Sequence, residues 1–137
     1  MTKKEPKVAL ALEGVRILVI EDDADALALN DLMLRRAGAH TLLASGMRQA
    51  IERFRSGVPD VLLCDLDLGE SLGGCDLLRA LNDVVGRAIP AIALSGAPRF
   101  QVEERVRKAG FQTFLQKPTT SSVLTRAIKA AIKSAKP

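Results

Sequence analysis

Apolar runs of strand length recur five times along the chain, and each is followed by a longer segment with apolar residues at helical spacing. The runs are almost entirely aliphatic, whereas the segments that link them contain glycine, proline and charged residues. Near-continuous apolar strands that alternate with amphipathic helices are typical of a parallel sheet covered by helices on both faces. The pattern therefore predicts an α/β protein.

The predicted strands cover 16–20, 41–44, 61–65, 91–94 and 111–116. The first helix is predicted to start at a cap formed by Asp22 or Asp23 and to end at Arg36, and the others cover 47–55, 75–85, 98–108 and 119–134. Because crossovers between parallel strands are right-handed, few topologies remain. We predict a doubly wound five-stranded parallel sheet, a (βα)5 flavodoxin-like arrangement with strand order 2-1-3-4-5.

The first and last helices each have an apolar side at helical spacing. In the first helix it comprises Leu29, Leu32 and Met33, and in the last helix Leu124, Ala127, Ile128 and Ala131. Residues 1–14 precede the first strand and are predicted to form a tail or linker that docks weakly. The folded domain is accordingly predicted to cover 15–137.

The composition fits one domain, since 137 residues can bury a core without disulfides or structural metals. The two cysteines, Cys64 and Cys75, lack the spacing of metal ligands, and we expect packing roles for both in a reduced, cytoplasmic setting. No signal peptide is evident, and no apolar run approaches the roughly 18 residues of a membrane span. A membrane partner is therefore not expected.

The net charge of +4 is unevenly distributed. Between Arg105 and Pro137 there are eight lysines or arginines and no aspartate or glutamate. Such a bias can mark an anionic partner, but no nucleic-acid-binding motif accompanies it. We interpret the basic residues as a solvated polar face and expect no direct binding to nucleic acid.

Polar residues that could carry chemistry stand at the ends of four strands: Glu21 and Asp22, Asp65, Ser95, and Lys117. In the predicted strand order the first and third strands are neighbours, so the three carboxylates should meet at one edge of the sheet. They would repel one another unless a cation joined them, and Mg²⁺ prefers such oxygen ligands together with phosphate. Because an aspartate can form a covalent acyl phosphate, this edge is a predicted site for a divalent cation and a phosphoryl group.

The chain resembles the receiver domains of two-component response regulators from about residue 15 to 135. The resemblance rests on ILVIEDD at 17–23, PDVLLCDLD at 59–67, PAIALSG at 90–96, and Lys117-Pro118. The segment 12–16 in addition resembles the linker that enters the C-terminal receiver of a hybrid histidine kinase. Stand-alone protein, fragment and hybrid-kinase receiver all remain open, as does dimer formation.

The resemblance implies a role for each acidic residue at this edge of the sheet. Asp65 would be the phosphoacceptor, Asp22 and Asp65 would supply carboxylates to Mg²⁺, Glu21 would act on the metal through water, and Asp67 would contribute its backbone carbonyl. The domain would be a signalling module with autocatalysed phosphotransfer and dephosphorylation, and not an enzyme. Its phosphodonor would be a histidine kinase or a histidine phosphotransfer protein.

The resemblance further implies that Ser95 and Lys117 bind the phosphoryl group and that Ser95 and Phe114 act as the switch. The face made by the fourth helix, fifth strand and fifth helix would then change its output partner. Two departures from the family pattern matter. Gly69 stands where proline is common, in a loop that is one residue longer than usual and expected to be more mobile, and Phe114 lacks the hydroxyl of the commoner tyrosine.

Two other functions compete with phosphoacceptance. A receiver fold that takes no phosphate would be an interaction module, although all the phosphorylation residues are present. Asp65, Asp67, Ser95 and Lys117 also resemble the motif series of haloacid-dehalogenase-type phosphatases. That family needs a further acidic motif after the lysine, and nothing from Pro118 onward is acidic.

Overall fold

The computed structural model describes residues 10–67 and 74–135. Its strands are β1 (Arg16–Ile20), β2 (His40–Ala44), β3 (Val61–Asp65), β4 (Ala91–Ser95) and β5 (Thr113–Gln116). Its helices are α1 (Ala24–Arg36), α2 (Met47–Ser56), α3 (Gly74–Val85), α4 (Arg99–Ala109) and α5 (Ser121–Ala135). The predicted elements are confirmed, with ends that differ by one or two residues.

The sheet has the order β2-β1-β3-β4-β5, and all four pairings are parallel. The predicted fold class is therefore confirmed. Ile20 lies opposite Cys64, and Asp65 lies opposite Leu94, so the ends of the central strands are level with one another. Every residue of β3 and β4 is buried, as expected of strands that are covered on both faces.

The sheet separates two hydrophobic cores. On one face, side chains of β1, β3 and β4 pack with α2, α3 and α4, and Phe54, Leu78 and Val106 represent the three helices. On the opposite face the same strands pack with α1 and α5, which contribute Leu34 and Ile128. Because both cores are closed by helices, polar side chains at the C-terminal ends of the strands lie at the rim of the sheet.

The buried side of α1 differs from the predicted apolar side. Of the predicted side, Met33 packs against the core, but Leu29 and Leu32 are 56% and 46% exposed, whereas Asn30 and Leu34 are buried. The inward side follows a row through Leu27, Asn30 and Leu34, so a polar residue occupies its middle. A pattern based on hydrophobicity alone misplaces the inward side because it passes over this asparagine. In α5, by contrast, Leu124, Ile128 and Ala131 are buried as predicted.

Residues 10–14, the described part of the predicted tail, contact the folded domain. Leu12 is fully buried in the core beneath α1 and α5, and its N–H donates to the carbonyl of Ala37 at 2.8 Å. Gly38, with φ of 99°, lies so close that an added Cβ would be 2.7 Å from Leu10 Cβ. Residues 10–14 therefore pack as part of the folded unit. Across 10–67 and 74–135, none of the helices is both long enough and apolar enough to span a bilayer.

Candidate functional site

Three carboxylates converge at the C-terminal edge of the sheet. Glu21 and Asp22 follow β1, Asp65 ends β3, and one oxygen from each lies within 4.8 Å of the others. The adjacency of β1 and β3 produces this cluster, because the strands are paired up to Ile20 and Cys64. Glu21 and Asp65 are each 2% exposed, whereas Asp22 is exposed. The expected proximity of the carboxylates is confirmed, and their roles remain predictions.

Lys117 supplies the positive charge of the site. Its Nζ lies 3.0 Å from Glu21 Oε2 and 3.1 Å from Asp65 Oδ2. Its backbone N–H donates to the carbonyl of Ser95 at 2.8 Å, which fixes the end of β5 to the end of β4. The peptide bond from Lys117 to Pro118 is cis. The lysine thus joins residues from three strands.

The carboxylates of the site outnumber its ammonium group, and the pKa of Glu21 is raised. Burial, and after it the neighbouring Asp65, raise the pKa of Glu21 to about 7, although the bond from Lys117 acts in the opposite direction. Burial alone would lower the pKa of Lys117, but its bonds to Glu21 and Asp65 outweigh this effect and raise that pKa. An added cation would relieve the excess negative charge.

The donor set suits a hard divalent cation. Glu21, Asp22 and Asp65 offer carboxylate oxygens only, which are the ligands Mg²⁺ prefers, and the exposed Asp22 opens the site to solvent. The side chain of Asp67 is outside this cluster of described residues, because it is bonded elsewhere. Of Asp67, only the backbone carbonyl was expected to bind the metal ion.

Ser95 is held by Asp67. The hydroxyl of Ser95 is fully buried and donates to Asp67 Oδ2 at 3.0 Å, and the N–H of Gly96 points to the same oxygen at 3.4 Å. Ser95 Oγ also accepts from the N–H of Ala97 at 3.0 Å. The N–H of Asp67 donates to Asp65 Oδ1 at 2.9 Å. The sequence predicts Ser95 at this edge, but nothing local in it identifies the Asp67 side chain as the partner of the hydroxyl.

Phe114 lies below this edge in a fixed inward position. Its side chain is 2% exposed, and the guanidinium of Arg99 stands 5.3 Å from the centre of its ring. Arg99 Nη2 also donates to the carbonyl of Phe114 at 3.1 Å. The contact of Arg99 was not predicted, since nothing local in the sequence marks an arginine at a helix start as the partner of a residue in a later strand. The loop around Gly69 lies outside the described residues.

The two cysteines behave as expected of packing residues. Cys64 is buried, and burial, followed by the negative charge of Asp65, raises its thiol pKa. Cys75 is half-buried, and burial also raises its pKa. Both groups are therefore protonated thiols at neutral pH, and neither is a reactive thiolate.

Comparison with known proteins identifies the family. The family model described as the response regulator receiver domain matches residues 17–129. A similar solved structure is a response regulator receiver domain protein from Clostridium thermocellum, with a TM-score of 0.78 and 28% identity over 88% of this chain and 95% of that one. The receiver domain of the Francisella response regulator 1452 shares the fold, with a TM-score of 0.79 at 22% identity over 90% of this chain and all of that one.

Two curated relatives differ in length. The transcriptional regulatory protein ZraR of Escherichia coli K12 is 30% identical over 88% of this chain, which spans only 27% of ZraR. An uncharacterized 14.6 kDa protein in the sodA1 3′ region of Leptolyngbya boryana is 29% identical over 86% of this chain and 90% of its own length. The family match and the parallel sheet agree, and the chain belongs to the response regulator receiver domains of two-component signalling.

Proposed function

We propose that this receiver domain accepts a phosphoryl group on Asp65 from a phosphohistidine of a histidine kinase or a histidine phosphotransfer protein. The observation that carries the proposal is the convergence on Asp65 of Lys117 and of two further carboxylates. Asp65 thus has the ammonium group of Lys117 at one oxygen and two further carboxylates near enough to share a divalent ion with it.

Glu21, Asp22, Asp65 and the backbone carbonyl of Asp67 would hold Mg²⁺. When bound, the ion supplies positive charge that offsets the negative charge of the carboxylates and of the transferred group. The raised pKa of Glu21, at about 7 because of burial and the nearby Asp65, supports this assignment, since the residues present lack one compensating charge.

The residues of the chain perform the remaining steps. A carboxylate oxygen of Asp65 forms a bond to phosphorus as the phosphorus–nitrogen bond of the phosphohistidine breaks, and the departing imidazole keeps the electron pair of that bond. Lys117 stays within reach of the new phosphoryl oxygens because its Nζ is 3.1 Å from Asp65 Oδ2. The hydroxyl of Ser95 turns to donate to the phosphoryl group.

The same step would act on the face formed by α4, β5 and α5. Ser95 is the last residue of β4, and Arg99, the first residue of α4, holds both the ring and the carbonyl of Phe114. A displacement of Ser95 is thus transmitted through three intervening residues to α4 and β5. The output protein that binds this face would sense the change as a shift between two packings.

Incubation with acetyl phosphate and Mg²⁺, followed by intact-mass measurement, tests the proposal. The wild-type protein is expected to gain about 80 Da, the mass of one phosphoryl group, and the Asp65→Asn variant is expected to gain none. Asp83→Asn, which removes an exposed carboxylate of α3, is the matched control and should label like the wild type. A labelled Asp65→Asn variant would move the acceptor elsewhere, and an unlabelled wild type would favour the interaction module.

The phosphatase alternative has a different signature. A haloacid-dehalogenase-type enzyme would turn over a phosphate monoester, whereas the receiver is expected to take one phosphoryl group per chain. Release of inorganic phosphate from p-nitrophenyl phosphate in many-fold excess over protein would favour the phosphatase.

A further inference from the structure

The side chain of Asp67 occupies the hydrogen-bond donors at the end of β4. Its Oδ2 accepts from the Ser95 hydroxyl at 3.0 Å and faces the Gly96 N–H at 3.4 Å. These are the donors that a phosphoryl group on Asp65 would use, because Ser95 ends β4, the strand beside β3, and Gly96 follows it directly. Asp67 therefore presents a carboxylate oxygen where a phosphoryl oxygen would bind.

The hydroxyl of Ser95 cannot serve both acceptors at once. A hydroxyl has one hydrogen to donate. Because the side chain is fully buried, bulk water cannot act as an alternative hydrogen-bond partner. Its oxygen is also engaged, since it accepts from the N–H of Ala97 at 3.0 Å. Binding of a phosphoryl oxygen by Ser95 must break the bond to Asp67.

The Asp67 side chain can move into solvent when Ser95 releases it. Asp67 is exposed, whereas Asp65 and Ser95 are buried, so the Asp67 side chain can rotate into water without desolvation. Its backbone N–H bond to Asp65 Oδ1, at 2.9 Å, does not depend on that rotation. The exchange of acceptors thus leaves the backbone of the site in place.

We propose that the Asp67 carboxylate is an internal competitor of the phosphoryl group for Ser95 and Gly96. This inference rests on the proposed phosphorylation of Asp65 and adds a device that sets its equilibrium. While Asp67 holds Ser95, the turn from Ser95 to Arg99 stays in its unphosphorylated position. Phosphorylation of Asp65 can shift that turn only when the Asp67 carboxylate is displaced from Ser95.

The affinity for beryllium trifluoride, a tetrahedral stand-in for a phosphoryl group on a carboxylate, measures the competition directly. Titration in the presence of Mg²⁺, followed by ¹⁹F NMR, gives a dissociation constant for each variant. Removal of the competitor in Asp67→Ala should tighten binding about tenfold, the equivalent of one charge-assisted hydrogen bond that no longer has to be broken. The dissociation constant of Asp67→Asn should lie between those of the wild type and Asp67→Ala. Asp83→Asn, which has the same change in net charge as Asp67→Asn, should match the wild type.

A double-mutant cycle separates competition from simple charge repulsion. In a Ser95→Ala background the gain from Asp67→Ala should fall below about threefold, because the contested donor is absent. An equal gain in both backgrounds would show that Asp67 acts only through its charge and would overturn the proposal. Wild-type binding with no gain in Asp67→Ala would overturn the competitor alone, whereas no binding by either protein would overturn the phosphoacceptor function as well.

Discussion

Replacement of Lys117 by methionine tests whether the site is held together by its single ammonium group. The substitution keeps the length of the side chain and removes the contacts to Glu21 at 3.0 Å and to Asp65 at 3.1 Å. A hydrogen bond between charged groups contributes about 1.5–3 kcal/mol. Because the lysine side chain is 33% exposed, the lower end applies, and the loss in the free energy of unfolding should be about 3 kcal/mol when both carboxylates are ionised.

The cost should depend on pH in a definite direction. Burial raises the pKa of Glu21 from 4.5 to about 7, so its carboxyl is mostly protonated in the folded protein at pH 6 and mostly ionised at pH 8.5. At pH 6 Lys117 then acts mainly through Asp65, and the substitution should cost about half as much, roughly 1.5 kcal/mol. The folded-state pKa of Glu21 lies above the value of 4.5 expected in the unfolded chain. The contribution of this raised pKa to the free energy of unfolding of the wild type is therefore complete below pH 4.5 and is lost as the pH rises through 7.

Urea denaturation followed by far-UV circular dichroism, with EDTA present and at both pH values, provides the measurement. Lys108→Met is the matched control: its Nζ lies 3.1 Å from Glu104, but both side chains are about 70% exposed, at 69% and 72%. An exposed pair of this kind contributes less than about 0.5 kcal/mol. Equal costs for the two substitutions, or a Lys117→Met cost that does not grow between pH 6 and pH 8.5, would refute the reasoning.

Two further predictions concern Mg²⁺ and the segment before β1. Mg²⁺ at ten times its dissociation constant should raise the free energy of unfolding by about 1.4 kcal/mol in the urea assay without EDTA, and Asp22→Asn should reduce that gain. Gly38→Ala should cost more than Gly86→Ala in thermal melts, since both glycines have positive φ but only the first would press its Cβ against Leu10. Equal losses for the two alanines would show that residues 10–14 are not packed as described.

The local pattern of apolar and polar residues determined much of what could be predicted about the fold and the site of this receiver domain. The apolar run within each strand stops at a polar residue, so the positions of Asp65 and Ser95 at strand ends could be predicted from the sequence. The right-handed crossover rule then reduced the topologies enough for the observed order to be predicted. Because that order makes β1 and β3 neighbours, the convergence of Glu21 with Asp65 also followed.

Contacts between side chains that are distant in the sequence required the tertiary structure. Hydrophobic pattern placed Leu29 on the apolar side of α1, yet Asn30 is buried and Leu29 is not, because the rotation of a helix on a sheet depends on what packs against all its sides. Likewise, Asp67 and Ser95 are separated by 28 positions, and only the approach of β3 and β4 brings the carboxylate to the hydroxyl. Periodicity indicates which residues of a segment share an apolar side. It does not record side-chain direction or the loss of hydration that raises the Glu21 pKa, because both depend on packing across the whole sheet.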